Sequence, residues 1–381
     1  MKKRILIPYA SYGNGHKAIA LYIKSYFQEQ NPEFEIMTLD LLEFAIPIIG
    51  KFTQKLSENL MGKHPFVWDF LYTIFDNKYS IALPNTISMA MFKNKRLRQV
   101  IEDFNPHLTV STHFSSSSLV AHYKRKNIIN SRLITVVTDY EAHEMWLKNI
   151  KVEDAIIVSD KEAAKNLAGG KGVDRTKIKD FGIPIAPITP TNFNKEKALR
   201  KYNFTGNRLI CLFFAGGGRY TNKAILNYAK KLIKADLNID FLFISGRDKS
   251  AKEMIERYIK KYNAQNFRIF GFVTNIPELF QICDFVVTKP GGVQTTEALY
   301  FKKPVILITG SGGQEKANAR YFVKNGYGKR FITSLNFNRF MKNISKKPFL
   351  LEGMERKLKE KTGNTAMKSL YNLSIDILRK N

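Results

Sequence analysis

A few short stretches of this chain hold residue types suited to phosphate, sugar hydroxyls or protons. The apolar run Phe285-Val286-Val287-Thr288 ends at Lys289-Pro290-Gly291-Gly292, and a helix is expected to start over Thr295-Thr296-Glu297. A strand, a glycine turn and a helix start leave backbone N–H groups pointing at whatever binds there, an arrangement that favours phosphate. Glu297, one turn into that helix, is within reach of a ribose. The stretch reads as a nucleotide half-site, better suited to a nucleotide sugar than to a dinucleotide. Ala215-Gly216-Gly217-Gly218-Arg219 follows a second apolar run, Leu209 to Phe214. It reads as a diphosphate cradle with a charge-assisted clamp, or as a flexible turn. Gln314 and Glu315 open another helix, where they serve sugar hydroxyls or are ordinary helix-start residues.

Ser11-Tyr12-Gly13-Asn14-Gly15-His16 follows the first apolar run, Arg4 to Tyr9. Glycines there let the backbone approach a ligand. His16, at the loop's end, is placed to take a proton or bind a substrate oxygen; the alternative is a capping or solvated histidine. Gly13, Gly15, Ala18 and Asp40 also fit a dinucleotide fingerprint, but two spaced glycines are a weak signal. Asp139 closes the run Arg132 to Thr138. It either orients an acceptor hydroxyl or His16, or caps the next helix. No zinc, paired-aspartate, nucleophile-elbow or Walker A spacing occurs, so no metal ligands are assigned.

These residues need a scaffold that gathers strand ends. Apolar runs alternate with amphipathic stretches along both halves, the pattern of a parallel, doubly wound α/β sheet. Phe181 to Thr191 carries three prolines and reads as a linker, after which the pattern restarts. The expected division is an acceptor and membrane-binding lobe over 1–185, a nucleotide-sugar lobe over 186–364, and a C-terminal helix over 365–381 that packs back toward the hinge.

Residues 41–100 break the pattern. They are rich in aromatic and aliphatic side chains, Phe66, Trp68 and Phe70 among them, with Lys and Arg interspersed. This is either an interfacial segment on anionic lipid or a buried helical insertion. The formal charge of +28 calls for an anionic partner, or reflects a lysine-rich genome. No arginine-rich tail or zinc-finger spacing points to nucleic acid. Cys211 and Cys283 are expected to be free, in a reducing compartment. No run of apolar residues reaches the ~18 of a spanning helix, so the chain is expected to be cytosolic or peripheral on a membrane.

SYGNGH, VTDYEAHEMW, FGIP, AGGGRY, GFVTNIPELFQICDFVVTKPGGVQTTEAL and GGQEKANARYFVKNGYG, in this order, span nearly the whole chain. Together they resemble the diacylglycerol glycosyltransferases, namely the monogalactosyldiacylglycerol synthases and the processive diacylglycerol glucosyltransferases. That family is similar in turn to the enzyme that adds N-acetylglucosamine to lipid I. The resemblance implies a GT-B fold, two Rossmann-like lobes with a cleft between them. It also implies inverting, metal-independent transfer of a hexose from a UDP-sugar to diacylglycerol, with the UDP-sugar a substrate and no cofactor. The product would be a glycolipid made at the cytoplasmic face of the membrane.

By the same resemblance, Glu297 binds the ribose and backbone near Phe272 and Val273 reads the uracil. Gly292, Val293, Gln294 and Thr295, with Gly217, Gly218 and Arg219, face the diphosphate. Gln314 and Glu315 hold the hexose. His16 or Asp139 takes the acceptor proton, and Trp146 with the 41–100 region meets the lipid. UDP-glucose is favoured and UDP-galactose is the alternative. Two other functions are a peptidoglycan-precursor transferase using UDP-N-acetylglucosamine and a non-catalytic nucleotide- or lipid-binding protein.

Overall fold

The computed structural model describes residues 2–11, 14–45, 92–142, 144–170, 173–186, 193–216, 223–308, 313–361, 363 and 365–380. The chain divides into two compact units. Among the described residues, those before Pro187 and those after Asn364 form the first, and those between Ile188 and Gly363 form the second.

The first unit runs β1 (Arg4–Tyr9), α1 (Asn14–Gln30), β2 (Glu35–Asp40), α2 (Leu41–Ala45), α3 (Lys95–Phe104), β3 (Leu108–Ser111), α4 (Phe114–Arg125), β4 (Arg132–Val136), α5 (Glu144–Leu147), β5 (Ala155–Ile157), α6 (Lys161–Gly170) and β6 (Ile178–Lys179). Its strands form one parallel sheet in the order β2-β1-β3-β4-β5-β6. Strands covered on both faces must be apolar throughout, and Ile5, Leu6, Ile7, Leu133, Ile134 and Ile156 are all fully buried.

Both described ends of the aromatic 41–100 stretch are part of this core. Leu41 and Leu97 are fully buried, and they pack with Leu39, Ile101 and Tyr123. At these ends the buried-insertion alternative is the observed one. Residues 46–91, with Phe66, Trp68 and Phe70, lie outside the described residues. Asn94 caps α3 by accepting from Leu97 N–H at 2.9 Å, and Asn105 ends it in the left-handed region.

The second unit runs α7 (Lys195–Lys201), β7 (Leu209–Phe214), α8 (Lys223–Ala235), β8 (Ile239–Ile244), α9 (Lys249–Tyr262), β9 (Phe267–Phe270), α10 (Ile276–Ile282), β10 (Phe285–Thr288), α11 (Gly292–Tyr300), β11 (Val305–Ile308), α12 (Gly313–Lys324), β12 (Gly328–Phe331), α13 (Ser334–Lys346) and α14 (Glu352–Glu360). Its sheet is also parallel, ordered β12-β11-β10-β7-β8-β9. Phe213, Phe241, Phe285 and Phe337 anchor the core between that sheet and helices α8 and α13.

The last helix, α15 (Ala366–Arg379), belongs to the first unit. Its Tyr371 ring meets Phe27 of α1 edge-on at 5.2 Å, and its Leu370 is fully buried. Among the described residues no helix is long and apolar enough to cross a membrane.

One expectation needs correction, and one strand was not expected. Helix α11 starts at Gly292, not over Thr295–Glu297. A glycine lowers helix propensity but is tolerated in the first turn, where its N–H has no intrahelical acceptor. Strand β12, Gly328-Lys329-Arg330-Phe331, went unread because an edge strand carries polar residues and lacks an apolar run.

Candidate active site and donor half-site

In an open α/β sheet, ligands collect at the carboxyl ends of strands where the strand order reverses. In the first unit that point lies between β1 and β3. His16 stands there, in the first turn of α1. Its Nδ1 lies 2.7 Å from the carbonyl oxygen of Thr112, just past β3, and 3.1 Å from Thr138 Oγ1, just past β4. Thr112 Oγ1 donates in return to the His16 carbonyl at 3.1 Å.

A carbonyl can only accept, so the contact at 2.7 Å puts the proton on Nδ1. The neutral ring then keeps its lone pair on Nε2. Burial pushes the imidazole's pKa down, while nearby Asp139 and the Thr112 carbonyl pull it up. Burial prevails, so the ring is held neutral where an exposed histidine would begin to protonate. Asp139 is itself buried, just beyond β4.

The wall of this pocket is aromatic. His113, which caps α4 by accepting from Ser115 N–H at 3.1 Å, meets His16 edge-on at 4.6 Å. Trp146 of α5 lies 6.5 Å from His16 and edge-on to Phe114 at 5.8 Å. Only 1% of Trp146 is exposed, so it packs in the core and does not project from the surface. His143 lies outside the described residues.

In the second unit the order reverses between β7 and β10. After β10, Lys289 and Pro290 lead to Gly291, the cap of α11. The N–H groups of Gly292, Val293 and Gln294 thus form the open end of that helix. The hydroxyls of Thr295 and Thr296 bond back to the carbonyls of Gly291 and Gly292 at 2.7 and 2.6 Å. Thr288 Oγ1 donates to Gln294 Oε1 at 3.1 Å. Glu297 is buried one turn further on.

The start of α12 is tied to the same turn. Lys289 Nζ contacts Glu315 Oε1 at 2.9 Å, and that carboxylate raises the lysine's pKa. The buried Asn318 amide donates to the Pro290 carbonyl at 3.0 Å. Gln314 sits beside Glu315 in the first turn of α12.

Beyond β9, Phe272 is 61% exposed, and the Arg247 guanidinium lies 4.9 Å from its ring centroid. Arg247 comes from the turn after β8, where Gly246 takes φ +65°, a left-handed conformation that side chains strain to adopt. Strand spacing sets the ends of β8 and β10 about 10 Å apart, with β7 between them. Among the described residues no three His, Cys, Asp or Glu side chains gather as a metal site.

Two family models match the chain. One, described as monogalactosyldiacylglycerol (MGDG) synthase, covers residues 16–185. The other, the glycosyltransferase family 28 C-terminal domain, covers 210–363. A processive diacylglycerol beta-glucosyltransferase of Bacillus cereus (strain B4264) is 28% identical over 331 residues, 85% of this chain and 80% of that protein. One from Bacillus subtilis (strain 168) is 29% identical over 327 residues, 85% and 82% of the two chains.

The chain is similar to the diacylglycerol glycosyltransferases over most of its length, and each of its two units matches a glycosyltransferase model. Its fold is GT-B. MurG of Acinetobacter baumannii shares it at TM-score 0.62, with 13% identity over 97% of this chain and 98% of that one. S. aureus MnaA, in a co-structure with UDP, shares it at 0.64, with 13% identity over 97% and 95%.

In this glycosyltransferase, His16 and Asp139 come together at one strand-end crevice. Gly292, Val293, Gln294, Thr295, Glu297, Gln314 and Glu315 gather around another. Phe272 and Val273 follow β9 at that same carboxyl edge. Gly217, Gly218 and Arg219 lie outside the described residues. Sequence reasoning missed Thr112, Thr138, His113, Arg247 and Asn318. Of these only Arg247, in the turn after an apolar run, had a readable signal. The others matter through partners up to 122 residues away.

Proposed function

We propose that this glycosyltransferase moves a hexose from a UDP-sugar to diacylglycerol at a membrane surface, with inversion. Glucose is the favoured sugar and galactose the alternative. One observation carries the reading: the Thr112 carbonyl holds the proton on His16 Nδ1 and leaves Nε2 as a neutral base. The acceptor hydroxyl attacks the anomeric carbon on the face opposite UDP. As the new C–O bond forms, the bond to the diphosphate breaks, its electron pair leaves with UDP, and the hydroxyl proton passes to Nε2. Asp139 offsets the charge of the imidazolium that results.

On the donor side, the open N–H groups of α11 and the positive end of its dipole meet the diphosphate. Arg219 adds a cation. No metal ion is needed in this reading. Glu297 takes the ribose, Phe272 and Val273 the uracil, and Gln314 with Glu315 the hexose. Glu315 does so while paired to Lys289, which fixes its carboxylate. The two Bacillus relatives are named as beta-glucosyltransferases of diacylglycerol, which supports glucose and this acceptor.

The test is mass analysis of lipid products formed from UDP-glucose, UDP-galactose and UDP-N-acetylglucosamine. Hexosyl-diacylglycerol is expected from one of the first two. His16→Ala should lower turnover by about 10²–10⁴. Because burial lowers the His16 pKa, kcat/KM of the wild type should hold below pH 6.5 and fall only as the ring protonates. Near-normal turnover in His16→Ala would remove its role as base. Transfer from UDP-N-acetylglucosamine alone, to a polyprenyl-linked precursor, would replace the acceptor. Nucleotide binding without any transfer would leave a binding protein.

A further inference from the structure

One face of the second unit has a composition that the donor site does not require. Helices α8 and α13 pack side by side over the sheet, with Tyr228 edge-on to Phe337 at 5.0 Å. Their outward side chains form two parallel stripes at helical spacing. Asn227, Lys231 and Lys234 are exposed on α8, and Leu335, Arg339, Lys342 and Lys346 on α13. The stripes are joined, since Lys231 Nζ donates to Ser334 Oγ and Asn238 N–H to Ser345 Oγ.

No Asp or Glu occurs over residues 223–235 or 332–351, and the nearest in sequence are Asp236 and Glu352 at the margins. Most of the large apolar side chains left in the open among the described residues also belong to this layer and its rim. They are Tyr262, Ile332, Leu335, Phe349 and Leu350, with Ile332 75% and Leu335 66% exposed. Lys234 lies 5.3 Å from the Tyr262 ring centroid, which extends the same mixture of cation and aromatic onto α9.

Cations without acids attract any polyanion. Exposed leucine, isoleucine and phenylalanine beside them gain nothing from a solvated phosphate backbone. They gain by entering hydrocarbon just beneath a layer of anionic headgroups. We propose that the α8–α13 layer of the second unit is a docking surface for an anionic lipid bilayer. It shares no residue with either strand-end crevice or with residues 41–100, and it does not depend on which sugar or acceptor the enzyme uses. Lysines of the stripes meet the headgroups, and Leu335 and Phe349 enter between them.

The test is partitioning of the full chain onto vesicles of phosphatidylcholine, alone or mixed with phosphatidylglycerol. One variant carries Lys231→Gln, Lys234→Gln, Lys342→Gln and Lys346→Gln. A control loses the same charge elsewhere, through Lys161→Gln, Lys165→Gln, Lys359→Gln and Lys368→Gln. All of these lysines are exposed, so both variants should melt like the wild type and keep their activity on detergent-dispersed acceptor. The first should lose about tenfold or more of its binding to the mixed vesicles, and the control about twofold or less. Leu335→Ser with Phe349→Ser should weaken binding at high salt as well, where screening has removed most of the charge attraction. Equal losses in the two lysine variants would overturn the surface and leave only net charge. Unchanged vesicle binding with lost binding to a DNA duplex would assign it to nucleic acid instead.

Discussion

Two buried titratable side chains of the first unit are handled in opposite ways. His16 gives up its charge readily because a neutral imidazole fits a buried pocket and its Nδ1 proton has a carbonyl to bond. Glu153 has no such remedy. Its Oε1 accepts from the hydroxyls of Ser117 and, at 2.9 Å, Thr135. Its Oε2 is buried with no hydrogen-bond partner. Burial pushes this carboxyl up to about 7. Between its unfolded pKa near 4.5 and that value, the folded state binds more protons than the unfolded one, so stability falls as pH rises through this window. Glu153→Gln removes the titration and keeps the shape. It should raise stability at pH 8 on the order of 2 kcal/mol and change it little at pH 4.5. Urea unfolding at the two pH values checks this, and an equal effect at both would mean that the carboxylate is not desolvated as described.

At the scale of elements, the Lys289–Gly291 turn of the proposed donor site is tied to a helix that follows it in the chain. Asn318 of α12 satisfies the buried Pro290 carbonyl, and Glu315 of the same helix holds Lys289. Asn318→Ala should cost about 1–3 kcal/mol by orphaning a buried carbonyl. It should also raise the KM for the donor several-fold with a smaller effect on kcat, as steady-state kinetics can resolve. An unchanged KM would mean that α12 does not brace the turn.

The strands were readable because a sheet covered on both faces must be built from apolar runs, as Leu209 to Phe214 and Phe285 to Thr288 are. The glycine turns were readable because they punctuate those runs. The His16 pocket was only partly readable. Its histidine follows two spaced glycines in the sequence, but the carbonyl that sets its tautomer belongs to Thr112, and a backbone carbonyl carries no residue signature. Asn318 likewise looks like an ordinary helical residue until the chain closes against Pro290. Trp146 was assigned to the lipid by resemblance alone, and the closed fold leaves only 1% of it exposed.

For the whole molecule, the two sheets differ in strand order, and each places its crevice where its own order reverses. The proposed donor site and the proposed base are therefore carried by separate cores. A ligand that binds only the native state stabilises the unit that holds it. UDP should raise the unfolding temperature reported by hydrogen exchange in β7–β12 strands by a few degrees or more at saturation. His16→Ala should leave that shift intact. A shift confined to β1–β6 would put the nucleotide in the wrong unit.

Helix α15 adds a constraint of time. It covers α1 with Leu370 and Tyr371, yet the ribosome makes it only after every residue of the second unit. At usual elongation rates that interval is on the order of ten to forty seconds. Until α15 emerges, the apolar flank of α1 around Phe27 stays uncovered, while the second unit, whose described residues follow one another in the chain, already has all its described strands. The second core can thus close on the nascent chain while the first, which holds His16, is still waiting for its final helix.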